Sequence, residues 1–371
     1  MQAVILVGGE GTRLRPLTSG TPKPIVTFVD RPFMGFMLEW LARHGVEDVI
    51  MCCGFLADKV RDVLGDGSAH GVRLQFVEEP EPRGTAGALK YAEHLIEDRF
   101  LMLNGDVLTD IDITAQLAAH EAAGATATLG LVAVEDPTAY GLVLCHEDGA
   151  VHGFLEKPGS GELVGVEEYL ISAGVYVLER SVLDMVPEGR EVSIEREVWP
   201  KLVDDGLYGC AAAGAYWMDI GTPQRYLQGT WDILEGHVDT AVSERLDGRR
   251  QWIAEGSTPE GSHITGPVIV EPGAKLGRGA RIVGPTVIGA GVEVGRGAVI
   301  ERSVVLEGTR IGPGAHVRHA IVAPRVEIGA RTVVDDRAVL GEGARIGADN
   351  VLTRGMKLFP GVELGDGAVR F

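Results

Sequence analysis

The chain has 371 residues, more than one compact core accommodates, so two domains are expected. Hydrophobic residues make up 45% and charged residues 23%, as in globular proteins, while a net charge of −19 argues against nucleic acid or an anionic membrane surface as partner. No stretch approaches the ~20 apolar residues of a membrane span, and the N-terminus lacks a basic segment followed by a long apolar run.

Four cysteines (Cys52, Cys53, Cys145, Cys210) form no CxxC pair and show no metal spacing. Cys52 and Cys53 sit in the apolar run VIMCCG, so buried, reduced thiols are expected there, and a cytoplasmic location with them. The opening strand, QAVILV, runs straight into Gly8, Gly9 and Gly11, then Arg13, Arg15 and Lys23. Bare backbone after a strand can approach a ligand closely and aim its N–H groups at it. Arginine and lysine directly behind make phosphate the expected ligand. The loop is not a dinucleotide fingerprint, because Thr12, Arg13 and Leu14 follow Gly11 and the third glycine is missing. A Walker A loop is absent as well.

Strand-like runs and helical patterns then alternate to about residue 230. EDVIMCC, VRLQFV and RFLMLNGD read as strands, and FMGFMLEWLARHG, LADKVRDVLG and TAGALKYAEHLI carry apolar residues at helical spacing. This order predicts a mainly parallel sheet with helices on both faces and ligands at the C-terminal strand ends. Gly8, Glu79 and Asp106 each follow such a strand. ATATLGLVAV, GLVLCHED and VHGFLEKP extend the sheet. Residues 236–262 are polar and weakly periodic, a connector.

Beyond it a repeat takes over. Val270, Leu276, Ile282, Ile288, Val294, Ile300 and Leu306 fall six apart; after a slip in register, so do Val322, Ile328, Val334, Leu340, Ile346, Leu352, Leu358 and Leu364. One buried aliphatic per six residues is the hexapeptide pattern of a parallel β-helix, predicted over 263–371.

Asp106 in LMLNGD and Asp219 in YWMDIGTP are each compatible with a turn or helix cap. As a pair they offer hard oxygen ligands to Mg²⁺, with phosphates and water completing the shell.

The words G-G-x-G-T-R-L-x-P-L-T and Pro22-Lys23-Pro24 closely resemble the signature of the sugar-1-phosphate nucleotidyltransferases. The resemblance covers residues 1–235 and implies an α/β, Rossmann-like, doubly wound mixed sheet of GT-A type, followed by the left-handed β-helix that several such enzymes carry. It implies that Arg13 and Lys23 hold the triphosphate, that Asp106 and Asp219 ligate Mg²⁺, and that Leu6, Gly8, Gly9, Gly11, Thr12, Glu79, Gly84 and Asp106 line the nucleotide. In E-K-P, Glu156 would hold sugar hydroxyls and Lys157 the sugar phosphate, with Asn104, Gly141 and Ser172 completing that subsite and Tyr140-Gly141 closing over the sugar. Arg13, Lys23 and Lys157 are the implied catalytic residues. Ser172-Ala173-Gly174 departs from the N-A-G common in the family, and serine reaches less far than asparagine.

Gly84-Thr85-Ala86-Gly87 resembles the G-T-A-G of mannose-1-phosphate guanylyltransferases within that family. The base-reading glutamine of their thymidylyl relatives falls on Glu79. Guanine presents two adjacent donors, N1–H and N2–H, which suit a carboxylate, whereas thymine and uracil suit an amide. The implied reaction is mannose 1-phosphate plus GTP giving GDP-mannose and pyrophosphate; glucose-1-phosphate thymidylyl or uridylyl transfer is the alternative. The β-helix is expected to assemble a homo-oligomer. A second class of reading makes it an acyltransferase with His316 or His319 as base, and a third makes the chain an inactive regulatory subunit, against which Arg13, Lys23, Asp106 and Asp219 all stand intact.

Overall fold

A computed structural model describes residues 1–54, 56–156, 158–159, 163, 168–203, 205–258 and 261–370. Lys157 and the side chain of Glu156 lie outside the described residues. The chain divides into two compact units, one of Met1–Gly9 with Met34–Met218 and one of Glu10–Phe33 with Asp219–Phe371.

The first unit is built on a nine-stranded mixed sheet. Its strands are β1 (Gln2–Val7), β2 (Asp48–Cys53), β3 (Arg73–Glu78), β4 (Arg99–Asn104), β5 (Ala127–Ala133), β6 (Gly141–Cys145), β7 (Val151–Glu156), β8 (Leu170–Glu179) and β9 (Leu207–Ala211). The spatial order is β7-β6-β8-β4-β1-β2-β3, with β5 between β8 and β9. β3, β2, β1 and β4 run parallel, and β8 joins β4 antiparallel. Helices Phe33–Arg43, Ala57–Leu64 and Gly84–Ala92 make the crossovers between the parallel strands. The apolar runs of β1 and β2 follow from this placement, since parallel strands covered on both faces have no wet side. β3, at the edge, alternates exposed and covered residues instead.

β5 to β7 lie where the sequence puts them, whereas β8 and β9 were not foreseen. Ser172–Gly174 falls inside β8, at a break in register where pairing with β5 shifts between Ser172 and Tyr176. Gly174 sits there at φ +71. A bulge of this kind re-aims neighbouring side chains. Trp199 packs against Tyr176 with ring centroids 5.5 Å apart, inside the same core as Phe100, Met102 and Leu129.

In the second unit, Glu10–Phe33 folds with helix Pro223–Glu235. Tyr226 donates its hydroxyl to Thr27 O at 2.5 Å and packs edge-on against Phe28 at 5.1 Å. The C-terminal part is the expected β-helix, three stacks of short parallel strands. One stack begins with Gln251–Ile253, inside the polar connector, and pairs with Val268–Val270. Inward aliphatics from Val268 to Leu352 form one continuous core.

The slip in the hexad pattern has a structural origin. Most coils take 18 residues, as where Ile282 stacks on Ile300, but Val287 stacks on Val304, and Val304 on Ile321, spacings of 17. A corner loses one residue at Arg302 and again at His319, both at φ 45. Val305 therefore takes the core position that the six-residue count assigns to Leu306. Glycine at the corners is required by coil spacing: a Cβ on Gly295 would lie 2.6 Å from Pro313 N.

Candidate active site

In the first unit the parallel strands deliver their C-terminal ends side by side. A Cβ on Gly54, just after β2, would lie 3.2 Å from Gly8 O, and one on Gly8 would lie 4.0 Å from Glu79 Oε1. Gly8, Gly54 and Glu79 thus form one rim. Gly9 has nothing within 4 Å of its Cβ position, so its backbone stands open. Glu79 N donates to Cys53 O at 2.9 Å, fixing the residue at the sheet edge. Its carboxylate accepts the Arg83 backbone N–H, yet burial raises its pKa above the ordinary carboxylate value.

Leu6 O accepts Gly105 N at 2.9 Å, and a Cβ on Gly105 would lie 2.7 Å from that oxygen. Only glycine makes the turn that swings Asp106 out past the end of β4. Asn104, at the end of β4, packs against Gly174, whose Cβ position is 2.8 Å from Asn104 Nδ2. Ser172 Oγ donates to Tyr176 Oη at 3.0 Å, and Asn104 also bonds that hydroxyl. Burial, and then the charges of Glu195 and Asp106, push the Tyr176 phenol up. Asn104 and Ser172, chosen from sequence for the sugar phosphate, therefore share one buried hydroxyl partner.

Gly141 pairs with Glu156 across the β6–β7 hairpin, which puts the Glu156 backbone beside the Tyr140-Gly141 turn. The Tyr140 ring packs edge-on against Trp217 at 5.5 Å, and Trp217 Nε1 donates to Ala173 O at 2.8 Å. Trp217 thus ties the turn to the Ser172–Gly174 bulge. Gly84 opens its helix at φ +68.

In the second unit the signature loop folds on itself. Thr18 Oγ1 donates to Gly11 O at 2.7 Å, and Gly11, at φ +63, leaves 3.2 Å from its Cβ position to Thr18 and 3.3 Å to Lys23. Thr12–Leu14 and Lys23–Ile25 each form a 3₁₀ turn. Thr12 and Arg13 are exposed and Lys23 is half-buried. Arg13 and Asp219 both lie against Gly221. Asp219 is ion-paired to Arg225, a partner that sequence reading missed because nothing local marks it. Thr222 caps helix Pro223–Glu235 by accepting Arg225 N at 3.3 Å.

Cys145 and Cys210 are half-buried and free. Cys52 and Cys53 are buried and free, and burial pushes Cys53 up to about 12. His316 is exposed on its coil, while His319 packs against Trp231 at 6.1 Å with Asp335 Oδ1 3.7 Å from its Nδ1. No helix among the described residues is long and apolar enough to cross a membrane.

In the first unit, parallel strand ends that carry glycines and carboxylates suit a nucleotide; in the second, the basic loop suits phosphate. A nucleotidyl transferase family description matches residues 2–236, and a GMPPB C-terminal domain description matches residues 264–367. The chain belongs to the nucleotidyl transferase family, and it is a nucleotidyltransferase. It is 38% identical to a mannose-1-phosphate guanylyltransferase of Mycobacterium tuberculosis over 100% of this chain and 98% of that protein. It is 36% identical to a mannose-1-phosphate guanyltransferase of Schizosaccharomyces pombe, covering 97% of this chain and 96% of that one. Among solved structures, HddC from Yersinia pseudotuberculosis is 29% identical with a TM-score of 0.53, over 61% of this chain and 96% of its own; it is also solved complexed with GMP-PN. Nucleotidyltransferases of this family generally use a divalent metal.

Proposed function

We propose that the chain is a mannose-1-phosphate guanylyltransferase, converting mannose 1-phosphate and GTP to GDP-mannose and pyrophosphate. The observation that carries this reading is similarity along essentially the whole chain to proteins bearing that name. Glu79 supports the base: its half-buried carboxylate sits beside Gly8, and two acceptor oxygens suit guanine N1–H and N2–H.

The reaction is an in-line displacement without a covalent intermediate, in which a sugar-phosphate oxygen attacks the α-phosphorus and pyrophosphate leaves. Positioning and charge neutralisation dominate such chemistry. Arg13 and Lys23 hold the triphosphate and stabilise the leaving pyrophosphate, and Lys157 offsets repulsion between the two phosphates. Leu6, Gly8, Gly9, Gly11, Thr12 and Gly84 bring backbone to the nucleotide. Asn104, Gly141, Glu156 and Ser172 hold the sugar phosphate. Asp106 and Asp219 would offer Mg²⁺ hard carboxylate oxygens, the donor type that ion takes. Bound there, the ion supplies charge neutralisation at the phosphates.

Residues 1–235 act as the catalytic domain and 263–371 as a β-helix that assembles a cytoplasmic homo-oligomer; 236–262 connect them and lend the strand Gln251–Ile253 to the β-helix. The test is a matrix of four nucleoside triphosphates against several sugar 1-phosphates, read as pyrophosphate release. GTP with mannose 1-phosphate is expected to give the highest kcat/KM; a higher value for dTTP or UTP overturns the guanylyl assignment.

A further inference from the structure

We propose that Glu195 is a positioning residue for the nucleotide loop, clamping Thr85 and with it the Gly84–Gly87 turn that follows Glu79. The clamp joins segments about a hundred residues apart. Val192 N donates to Arg83 O at 2.8 Å, and Ala86 N returns a bond to Val192 O at 2.9 Å. The approach is close enough that a Cβ on Gly84 would lie 2.6 Å from Val192 O, and one on Gly87 2.9 Å from Arg190 O. Both glycines of the G-T-A-G word are thus explained by this neighbour.

Thr85 is held from two sides. Its Oγ1 accepts Ile194 N at 2.8 Å and donates to Glu195 Oε2 at 2.9 Å. The same carboxylate oxygen accepts Ser193 Oγ at 2.7 Å, which fixes its rotamer. Glu195 lies on a π-helical turn, Ile194–Val198, whose extra residue per turn re-aims side chains. An exposed carboxylate whose recorded bonds go to two hydroxyls is poorly explained by core stability. The clamp also reaches the base reader, because Glu79 accepts the backbone N–H of Arg83, the residue bonded to Val192. Loosening Thr85 frees Arg83 and, through it, the Glu79 carboxylate.

This inference rests on the reading of Glu79 and Gly84 as nucleotide-binding. Its test is steady-state kinetics and thermal unfolding of Glu195→Ala, Glu195→Gln, Thr85→Val and Thr85→Ser. Losing one hydroxyl-to-carboxylate bond is expected to raise KM for GTP about tenfold in Glu195→Ala and Thr85→Val. KM for mannose 1-phosphate stays within about twofold, and the kcat/KM preference for GTP over dTTP falls. Glu195→Gln and Thr85→Ser keep an acceptor and a donor, so both recover most of the loss. Equal rises in both KM values, no rise at all, or no rescue by the conservative variants overturns the proposal. Should Glu195→Ala not fold, the Thr85→Val and Thr85→Ser pair decides it alone. A wild-type enzyme that prefers dTTP removes the guanylyl reading, and the clamp is then judged by KM for dTTP in the same variants.

Discussion

Arg13 and Asp219 converge on the space that a side chain at Gly221 would fill. A Cβ built there lies 3.0 Å from Arg13 Nη2 and 3.1 Å from Asp219 Oδ2. The guanidinium assigned to the triphosphate and the carboxylate assigned to the metal thus both occupy room that only a glycine leaves. Gly221→Ala is therefore expected to push both groups outward and lower kcat/KM about a hundredfold, with little change in melting temperature. Kinetics beside a thermal melt decide it; an active alanine variant means that the spacing is incidental.

Chelation by EDTA is expected to abolish turnover, and Mg²⁺ to restore it. Asp106→Asn and Asp219→Asn each lose most activity while keeping the circular dichroism of the parent. Near wild-type kcat in either variant at limiting Mg²⁺ removes that aspartate from the metal site.

The two lysines are expected to separate kinetically. Lys157→Ala raises KM for the sugar phosphate far more than for the nucleotide, and Lys23→Ala acts on the nucleotide side or on kcat. One charged phosphate contact contributes about 1.5–3 kcal/mol, roughly 10- to 150-fold. Equal effects of both variants on both substrates contradict the division.

Base choice is expected to follow Glu79. A pyrimidine leaves the carboxylate facing a carbonyl oxygen, and ATP offers no N2 amine, so GTP exceeds dTTP, UTP and ATP by about a hundredfold or more. Glu79→Gln erodes that preference. Competition assays with mixed nucleotides measure it directly.

Glu271 gives a pH dependence of stability. Its Oε1 is buried and accepts no hydrogen bond among the described residues. Burial and then the charge of Asp30 raise the carboxyl to about 7, against the pull of Arg245 and Arg31. Asp30 is itself paired with Arg31 at 2.9 Å and with Arg245. A native pKa above the unfolded 4.5 means that the folded chain binds the proton more tightly between 4.5 and 7. Stability is lost as pH rises through that window, and the loss is complete above it. Glu271→Gln should add about 1 kcal/mol, after solvent screening, at about pH 8 and nothing at about pH 5. Urea unfolding at the two pH values reads the difference, and a pH-independent gain contradicts the account.

The sequence alone determined the elements whose cause is local. Val4 to Val7 running into Gly8 and Gly9 mark a buried parallel strand and the turn that ends it, and both lie there in the fold. The six-residue spacing from Val270 onward marks the β-helix, because every coil must turn one aliphatic inward at each face. Tertiary structure decided the rest. The count of six fails at Arg302 and His319, where a corner drops a residue without any signal in composition. Ser172 keeps company with Tyr176 and Asn104 only because a bulge interrupts β8. Thr85 meets Glu195, and Asp219 meets Arg225, through single side-chain contacts that follow no periodicity. A repeat is readable because backbone geometry imposes it at every turn. A contact between distant residues is fixed only once the whole sheet has set where each loop ends.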